Sequence, residues 1–224
     1  MRYVVYILLF SLFVNADQIN ILKEFDKLRI NTNQGRVDLS IVSIKKQKKK
    51  IKQYSVFRKD GNSLVAFMHK SEKGTVVLNI LNNLYIKIPS SKKAIRITPI
   101  QRLFGDASVG DILELSFDKF YSLKEQNKNQ YILKAKNKTS TYNKIELYTK
   151  GDKLDFAKLF SYSGKLLKTV YYIYNDKGKI DKYKFVSKLS HSIVHIKKVT
   201  NIKLPNRLFR KSNIKKAFRN ATSL

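Results

Sequence analysis

The sequence predicts an α+β protein that is mainly β, with one N-terminal helix followed by one antiparallel sheet. Three observations support this class. Apolar residues first recur at helical spacing, then alternate along short segments, and turn residues separate those segments at regular intervals. Many short strands at regular spacing are typical of an antiparallel sandwich or barrel rather than of a parallel sheet.

The first sixteen residues resemble a secretory signal peptide, with a basic start, an apolar run over residues 3–14 and Ala16 at the expected cleavage site. That run is shorter than the roughly 20 residues that a membrane-spanning helix needs. We therefore expect cleavage after Ala16 and passage of the mature chain across a membrane. Because the sequence contains no cysteine, the mature chain is not expected to be lipidated.

An amphipathic helix is predicted over residues 17–30, because its apolar residues fall three apart with charged residues between them. These apolar residues are Ile19, Leu22, Phe25 and Leu28. Residues 31–35 are expected to end the helix, with Gly35 as the breaker. After this point the hydrophobic period changes from helical to alternating, and residues 17–224 are expected to form one domain.

The alternating segments predict a series of strands separated by turn residues. The predicted strands are 36–44, 54–59, 64–70, 75–80, 84–88, 94–98, 130–136, 142–149, 155–161, 168–174, 182–189 and 192–198. Residues 99–128 interrupt the pattern, with a short helix expected within 112–121. Residues 206–218 are expected to form short helices that dock on the sheet through Leu208, Phe209, Ile214 and Phe218.

Several early strands are apolar at every position, for example residues 64–68 and 76–78. A sheet with one solvated face would alternate instead. We therefore expect the second face to be covered, either by helices or by a bound apolar ligand. If an apolar ligand covers that face, the candidate lining of its cavity consists of apolar residues of these strands and their neighbours: Phe67, Met68, Val77, Leu84, Ile86 and Ile97.

The charge is strongly basic, with 46 lysines and arginines against 16 acids and a formal net charge of +30. Such a charge favours an anionic partner or surface. AT-rich coding sequence would also enrich lysine together with isoleucine and asparagine, so both explanations stay open. Residues 45–52 contain six lysines, which fits either a membrane-touching edge or a solvated hairpin end protected from aggregation.

Catalytic motifs are not found. The sequence has no cysteine-based zinc motif, no Gly-x-Ser-x-Gly elbow and no phosphate-binding Gly-x4-Gly-Lys-Ser/Thr loop. There are three histidines, His69, His191 and His195. The last two lie four residues apart, and the tail offers no carboxylates that would complete a metal site with them. We expect no cofactor, no metal and no enzymatic activity.

One cluster of acids stands out in a chain with few of them: Asp106, Asp111, Glu114 and Asp118. Paired carboxylates can act in acid–base catalysis, which would make an envelope hydrolase. Capping of a short helix and neutralisation of nearby lysines is the simpler interpretation, and we favour it.

The order of several short motifs is similar to that of the outer membrane lipoprotein-sorting protein family, the relatives of the LolA carrier. These motifs are Lys73-Gly74-Thr75, Tyr85-Ile86-Lys87-Ile88-Pro89, Arg96-Ile97 and Gly105-Asp106-Ala107-Ser108-Val109. The resemblance continues to Leu204-Pro205-Asn206, so it covers nearly all of the mature chain. The chain departs from the family in having Tyr85 where a tryptophan is usual, and in the Gly105–Val109 loop.

This resemblance implies a strongly curved, incomplete antiparallel barrel closed by helices, with an apolar hollow for acyl chains. It further implies a monomeric periplasmic carrier that takes lipoproteins or other lipids from an inner-membrane exporter to an outer-membrane acceptor. Transient contact with an anionic membrane surface is expected, and nucleic acid is not an expected partner. The alternative is a secreted basic protein that binds anionic envelope polymers or nucleic acid and has no lipid cavity.

Overall fold

The computed structural model describes residues 21–29, 32, 34–113, 116–188 and 190–224. The expected signal peptide and the beginning of the predicted N-terminal helix lie outside these residues. Residues 21–28 are helical (α1), and two of the predicted apolar positions, Leu22 and Phe25, are buried. Among the described residues, no helix is long and apolar enough to cross a membrane.

Fifteen strands are present in the described part of the chain. In chain order they are β1 (Gln34–Lys45), β2 (Lys48–Lys59), β3 (Asn62–Phe67), β4 (Val76–Ile80), β5 (Asn83–Lys87), β6 (Ile95–Ile97), β7 (Arg102–Phe104), β8 (Ala107–Ser108), β9 (Tyr121–Asn127), β10 (Gln130–Ala135), β11 (Lys144–Lys150), β12 (Lys153–Phe160), β13 (Leu166–Tyr174), β14 (Ile180–Val186) and β15 (His191–Thr200). Each strand predicted from the alternating pattern has a counterpart among them.

Thirteen of these strands form one antiparallel sheet in the order β6-β5-β4-β3-β2-β1-β15-β14-β13-β12-β11-β10-β9. All neighbours are consecutive in the chain except β1 and β15, which join the two ends of the strand series. The edge strands β6 and β9 do not pair with each other, so the barrel stays open, and β7 and β8 form a separate ribbon. The predicted fold class, a mainly β, incomplete antiparallel barrel, is confirmed.

Short helices complete the fold. They are α2 (Val109–Leu113), α3 (Phe117–Phe120) and α4 (Ile214–Thr222), with 3-10 turns at Asn206–Phe209 and Lys211–Asn213. The single helix expected within 112–121 is therefore two helices, and β9 begins directly after the second of them. The sequence pattern did not predict β9, because its Lys-Glu-Gln-Asn end is exposed and polar.

Two apolar clusters lie on opposite faces of the sheet. The larger cluster contains inward side chains from β1 to β5 and β9 to β15, together with residues of α1, α2 and α3, and we call this side the inner face. The smaller cluster joins the other face of β2, β3 and β4 to the C-terminal segment from residue 204 to 221, and we call this side the outer face. The doubly apolar strands are thus covered on both sides by the chain itself.

The C-terminal segment docks as the sequence predicted. Leu208, Phe209 and Ile214 are buried in the outer cluster, and Phe218 packs against it. The lysine-rich segment 45–52 forms the β1–β2 hairpin, with positive φ angles at Lys46 and Gln47 in the turn. Strand β2 starts at Lys48, earlier than predicted, because an exposed hairpin end accepts lysine at every position.

Candidate functional site

The inner face and the helices enclose an apolar hollow. Helix α1 contributes Leu22 and Phe25, α2 contributes Val109, Ile112 and Leu113, and α3 contributes two phenylalanines, all buried in the inner cluster. Opposite them lie the inward side chains of the sheet. An interior of this kind removes apolar surface from water on both sides, so it could hold hydrocarbon if the helices moved away.

Five of the six predicted lining residues share this inner side. Phe67, Val77 and Leu84 are buried in the inner cluster, and Ile86 and Ile97 pack against it. The structure does not bring Met68 together with them. Met68 follows Phe67 directly, and because side chains alternate along an extended chain it packs against the outer cluster instead.

A cavity of about 50 Å³ lies in the other half of the hollow, beneath β11 to β14. Its lining is mostly apolar and aromatic, with a few polar groups: Arg29, Gly110, Asp111, Phe117, Tyr121, Thr141, Tyr142, Ile145, Leu159, Val170, Tyr172, Tyr183 and Phe185. A smaller space of about 10 Å³ adjoins it at Asp111, Tyr183 and Phe185. None of the six residues predicted from the sequence lines either space, and the residues that do were missed.

A buried ion pair crosses the hollow next to this cavity. The Lys168 ammonium on β13 lies 2.5 Å from Oδ2 of Asp111 on α2, with side chains only 7% and 5% exposed. The Lys168 ammonium also donates to the backbone carbonyl of Asp106 at 2.5 Å. Since charges this far from water are costly unless paired, this contact fixes the position of α2 against the sheet.

Further donors satisfy the remaining acceptor capacity of Asp111. The Tyr142 hydroxyl donates to Oδ1 at 2.6 Å, and the backbone N–H and hydroxyl of Ser108 donate to Oδ2 at 2.7 and 2.8 Å. Burial, reinforced by the negative charge of Asp111, raises the pKa of Tyr142 well above its ordinary value. Tyr142 therefore remains protonated and acts as a donor at neutral pH.

Helix α2 lies close to the sheet because it carries a glycine at the contact. A Cβ added at Gly110 would lie 2.1 Å from the Thr141 hydroxyl oxygen. The Thr141 hydroxyl is itself buried, lines the cavity and makes no hydrogen bond with the described residues. We refer to Asp111, Lys168 and Tyr142 together as the latch, because they join α2 to β13 and to the segment before β11.

Asp106 anchors the preceding loop. Its carboxylate accepts hydrogen bonds from the hydroxyls of Ser187 and Ser190 at 2.8 Å each and from Ser192 at 3.2 Å. The loop reaches β15 so closely that a Cβ at Gly105, where φ is +60°, would overlap the Ser192 and Ser43 hydroxyls. Asp106 thus holds the start of β8 and α2 against the end of the β14–β15 hairpin.

The acids of the cluster noted in the sequence therefore mainly make contacts that hold the fold together. Asp106 and Asp111 are held as described above, and Glu114 lies outside the described residues. Asp118 contributes a backbone N–H to the Asp26 carboxylate at 3.1 Å, as does Phe117 at 2.8 Å, so an acid on α1 caps α3. These contacts support the interpretation of neutralised lysines and capped helices.

The histidines do not form a metal site with neighbouring acids. His191 and His195 lie on the outer side of β15, paired in register with Ile44 and Ser40 of β1, and His69 lies in an exposed loop. In the described part of the chain, no group of three histidines or acids could hold a metal ion.

Comparisons with known proteins agree with this fold. Residues 59–221 match the model of a protein family whose description reads "-like: Uncharacterized protein". No curated protein matches the sequence. A solved LolA superfamily protein from Nitrosomonas europaea superposes with a TM-score of 0.78 at 24% sequence identity, over 87% of this chain and 98% of that one.

Two further structures superpose over most of both chains. A putative outer membrane lipoprotein-sorting protein domain from Vibrio parahaemolyticus gives a TM-score of 0.68 at 13% identity, over 90% of this chain and 99% of that one. A DUF1329 family protein from Desulfovibrio piger gives 0.69 at 15% identity, over 89% and 98%. The resemblance inferred from the motifs is confirmed at the level of the fold.

Proposed function

Because the chain belongs to the family whose model matches residues 59–221 and has a LolA-like fold, we propose that it is a lipid carrier. It binds the acyl chains of lipoproteins or other lipids in the hollow between the inner face and α1–α3. It moves them through the periplasm towards the outer membrane, receiving them from an inner-membrane exporter and delivering them to an outer-membrane acceptor. The protein acts as a monomer and needs no catalytic step.

The observation that carries this proposal is the apolar hollow with a cavity beside the latch. Ligand pockets that enclose small molecules usually measure roughly 300–1,000 Å³. The cavity of about 50 Å³ is smaller than this, so the described conformation is closed and cargo entry requires movement. The helices that cover the inner face are short, and they contact the sheet mainly through side chains, so they are the parts able to move.

The latch supplies the barrier to opening. When α2 moves away from β13, Asp111 separates from Lys168, and opening has to offset the lost attraction of this buried pair. Each methylene group buried from water contributes about 0.8 kcal/mol, so an acyl chain of about 16 carbons offsets that cost. Cargo with long hydrocarbon chains can therefore hold the hollow open, whereas small solutes cannot.

The opened hollow is proposed to extend beyond the cavity into the half formed by β3 to β6. The inward residues Phe67, Val77, Leu84, Ile86 and Ile97 continue the same apolar surface without interruption. Cargo in the opened state would contact both halves. Met68 is left out of the proposed lining because it packs on the outer side.

The test is native mass spectrometry of protein purified from the periplasm, before and after organic extraction. A carrier should retain phospholipid or acylated protein at defined stoichiometry, and the extracted mass identifies the cargo class. Protein that stays free of lipid even after exposure to lipid vesicles would overturn the proposal. Salt-dependent polyanion binding by that same lipid-free protein would favour the alternative of a polymer-binding protein.

A pair of neighbouring variants locates the cargo. Val170→Phe fills the cavity from β13 and should lower lipid occupancy several-fold, since the added ring takes the space of the acyl chain. Tyr171→Phe, one position along on the opposite face, is the matched control and should retain full occupancy. Leu84→Ala tests the other half, and equal occupancy in all three variants would place the cargo elsewhere.

A further inference from the structure

The outer face of seven adjacent strands carries a continuous row of apolar side chains interrupted by one lysine. Strand register places these residues directly beside one another, from β2 through β1 and β15 to β11, and we call them the outer row: Ile51, Val42, Ile193, Lys184, Tyr171, Phe156 and Tyr148. Their sequence neighbours Val170 and Ala157 point inward and are buried, which confirms the direction of the row.

The outer row is open to solvent. Ile51 is 47% exposed and Tyr171 is 41% exposed, and the remaining members are half-buried or exposed. The C-terminal segment covers the outer face around β2 to β5, where it packs on Phe57, Leu64 and Leu78. None of the outer-row residues belongs to the outer apolar cluster that the C-terminal segment joins.

Positive charge surrounds this row. Lys184 lies within the row. Lys49 and Lys158 lie in the next register, meaning the adjacent row of paired residues, on one side, and Lys182 lies in the next register on the other side. The acid in these registers, Glu146, is already paired with Lys144 at 2.7 Å. Asp181, next to Lys182, also acts on His195 there, so the row combines apolar side chains with more lysines than acids, a combination suited to an anionic surface.

We infer that the outer row and its flanking lysines dock the protein on anionic phospholipid headgroups. Lysine ammonium groups attract phosphate and carboxylate groups at a membrane surface. Tyrosine and the lysine stems place apolar atoms at the boundary between headgroups and hydrocarbon while their polar ends stay hydrated. This inference rests on the proposed carrier function and names the surface by which the carrier meets a membrane.

Ring geometry favours a membrane over a nucleic acid. The rings of Tyr148 and Phe156 stack on each other with centroids 4.3 Å apart and planes 13° from parallel, and Phe156 also packs on Tyr171 at 5.9 Å. Proteins that bind single-stranded nucleic acid stack bases on exposed ring faces. Here one face of Tyr148 stacks on Phe156, and the Lys158 ammonium lies 5.5 Å from the centroid of the Tyr148 ring, so these two rings are already engaged by neighbouring side chains.

The test is flotation of the purified protein with vesicles of phosphatidylglycerol and phosphatidylcholine, compared with phosphatidylcholine alone. The double variant Ile51→Glu/Tyr171→Glu should lower partition onto the anionic vesicles roughly tenfold or more, because it places two acids in the contact. Leu81→Glu/Ile95→Glu makes the same charge change at two exposed apolar residues outside the row, and should change partition less than twofold.

Equal losses in both double variants would overturn the inference, because they would show that net charge alone drives binding. It would also be overturned if the first variant instead lost self-association in sedimentation velocity, or lost binding to single-stranded DNA, with vesicle binding intact. Lipid occupancy is measured in the same samples by mass spectrometry. Absence of cargo with preserved vesicle docking would refute the carrier function and leave the docking surface standing.

Discussion

The two halves of the sheet use their outer faces differently. Strands β2 to β4 are apolar on both sides, and the C-terminal segment covers their outer side with Leu204, Leu208 and Phe209. Strands β11 to β15 are buried on the inner side only, and their outer side exposes the outer row with its lysines. We call these the covered half and the open half.

The comparison shows that apolar strands and the cavity do not coincide. The covered half is packed tightly, with Val65, Val77 and Leu78 fully buried. The larger cavity lies under the open half, and the smaller space lies between the halves, against Val56 of β2 and Val194 of β15. A strand with apolar residues on both faces must be covered on both faces. In the covered half, other segments of the chain itself provide that cover. The larger cavity lies instead in the half where a charged residue, Lys168, is directed inward.

The largest expected effect is the loss of the latch in the open half. Lys168→Met leaves the Asp111 carboxylate buried without its counter-charge, so the free energy of unfolding should fall by roughly 3–5 kcal/mol. Urea denaturation followed by circular dichroism measures this change. The double variant Lys168→Met/Asp111→Leu should recover part of the loss, because it removes both charges.

A loss of under about 1 kcal/mol in Lys168→Met would contradict the latch. It would mean that Asp111 is supported sufficiently by its hydrogen bonds from Ser108 and Tyr142. The two halves would then differ in stability only through the packing of their side chains.

A pair of leucine truncations compares the halves directly. Leu208→Ala in the outer cover and Leu159→Ala beside the cavity each remove a buried side chain, and each should cost roughly 2–5 kcal/mol. Lipid occupancy should separate them. Leu208→Ala should leave it unchanged, because Leu208 lies across the sheet from the hollow, whereas Leu159→Ala enlarges the cavity and should alter occupancy or cargo length.

Both quantities come from the same preparations, by urea titration and native mass spectrometry. Altered occupancy in Leu208→Ala with unaltered occupancy in Leu159→Ala would reverse the assignment and place cargo in the covered half.

Much of this architecture could be predicted from local pattern. Alternation identified the strands with clear apolar periodicity, and the period of the tail identified Leu208 and Ile214 as docking residues. Strand β9 was missed because an exposed edge strand rich in Lys, Glu, Gln and Asn has no alternation to detect. The intrinsic β propensity of its residues does not predict β9, because pairing with the neighbouring strand β10 stabilises it.

The latch was harder to predict, for two reasons. Parity along β13 does place Lys168 on the same side as Val170 and Tyr172, so an inward lysine was a signal available in the sequence. Its partner Asp111 is 57 residues away and comes into contact only through the tertiary fold. The cavity likewise depends on how α2 and α3 pack on the sheet, which no local pattern specifies.

The smallest expected effect concerns His195 on the outer side of the open half. Burial lowers its pKa below the ordinary value, and the positive charges of Lys197, Lys182 and Lys49 lower it further, against an opposite effect of Asp181. The folded protein therefore binds this proton less readily than the unfolded chain does. Stability should fall slightly as the pH drops through the ordinary histidine pKa of about 6.5.

His195→Gln removes this dependence. The urea midpoint of unfolding is measured at pH 7.5 and at pH 5.0, and its change between the two pH values should be slightly smaller for the variant than for the natural protein. At pH 7.5 the two proteins should have nearly the same midpoint, because His195 is neutral in both the folded and the unfolded state. Parallel losses between the two pH values would show that neither burial nor the neighbouring lysines lower the pKa of His195 in the folded state. A measurable effect would show that burial and the neighbouring lysines together lower the pKa of His195 in the folded state.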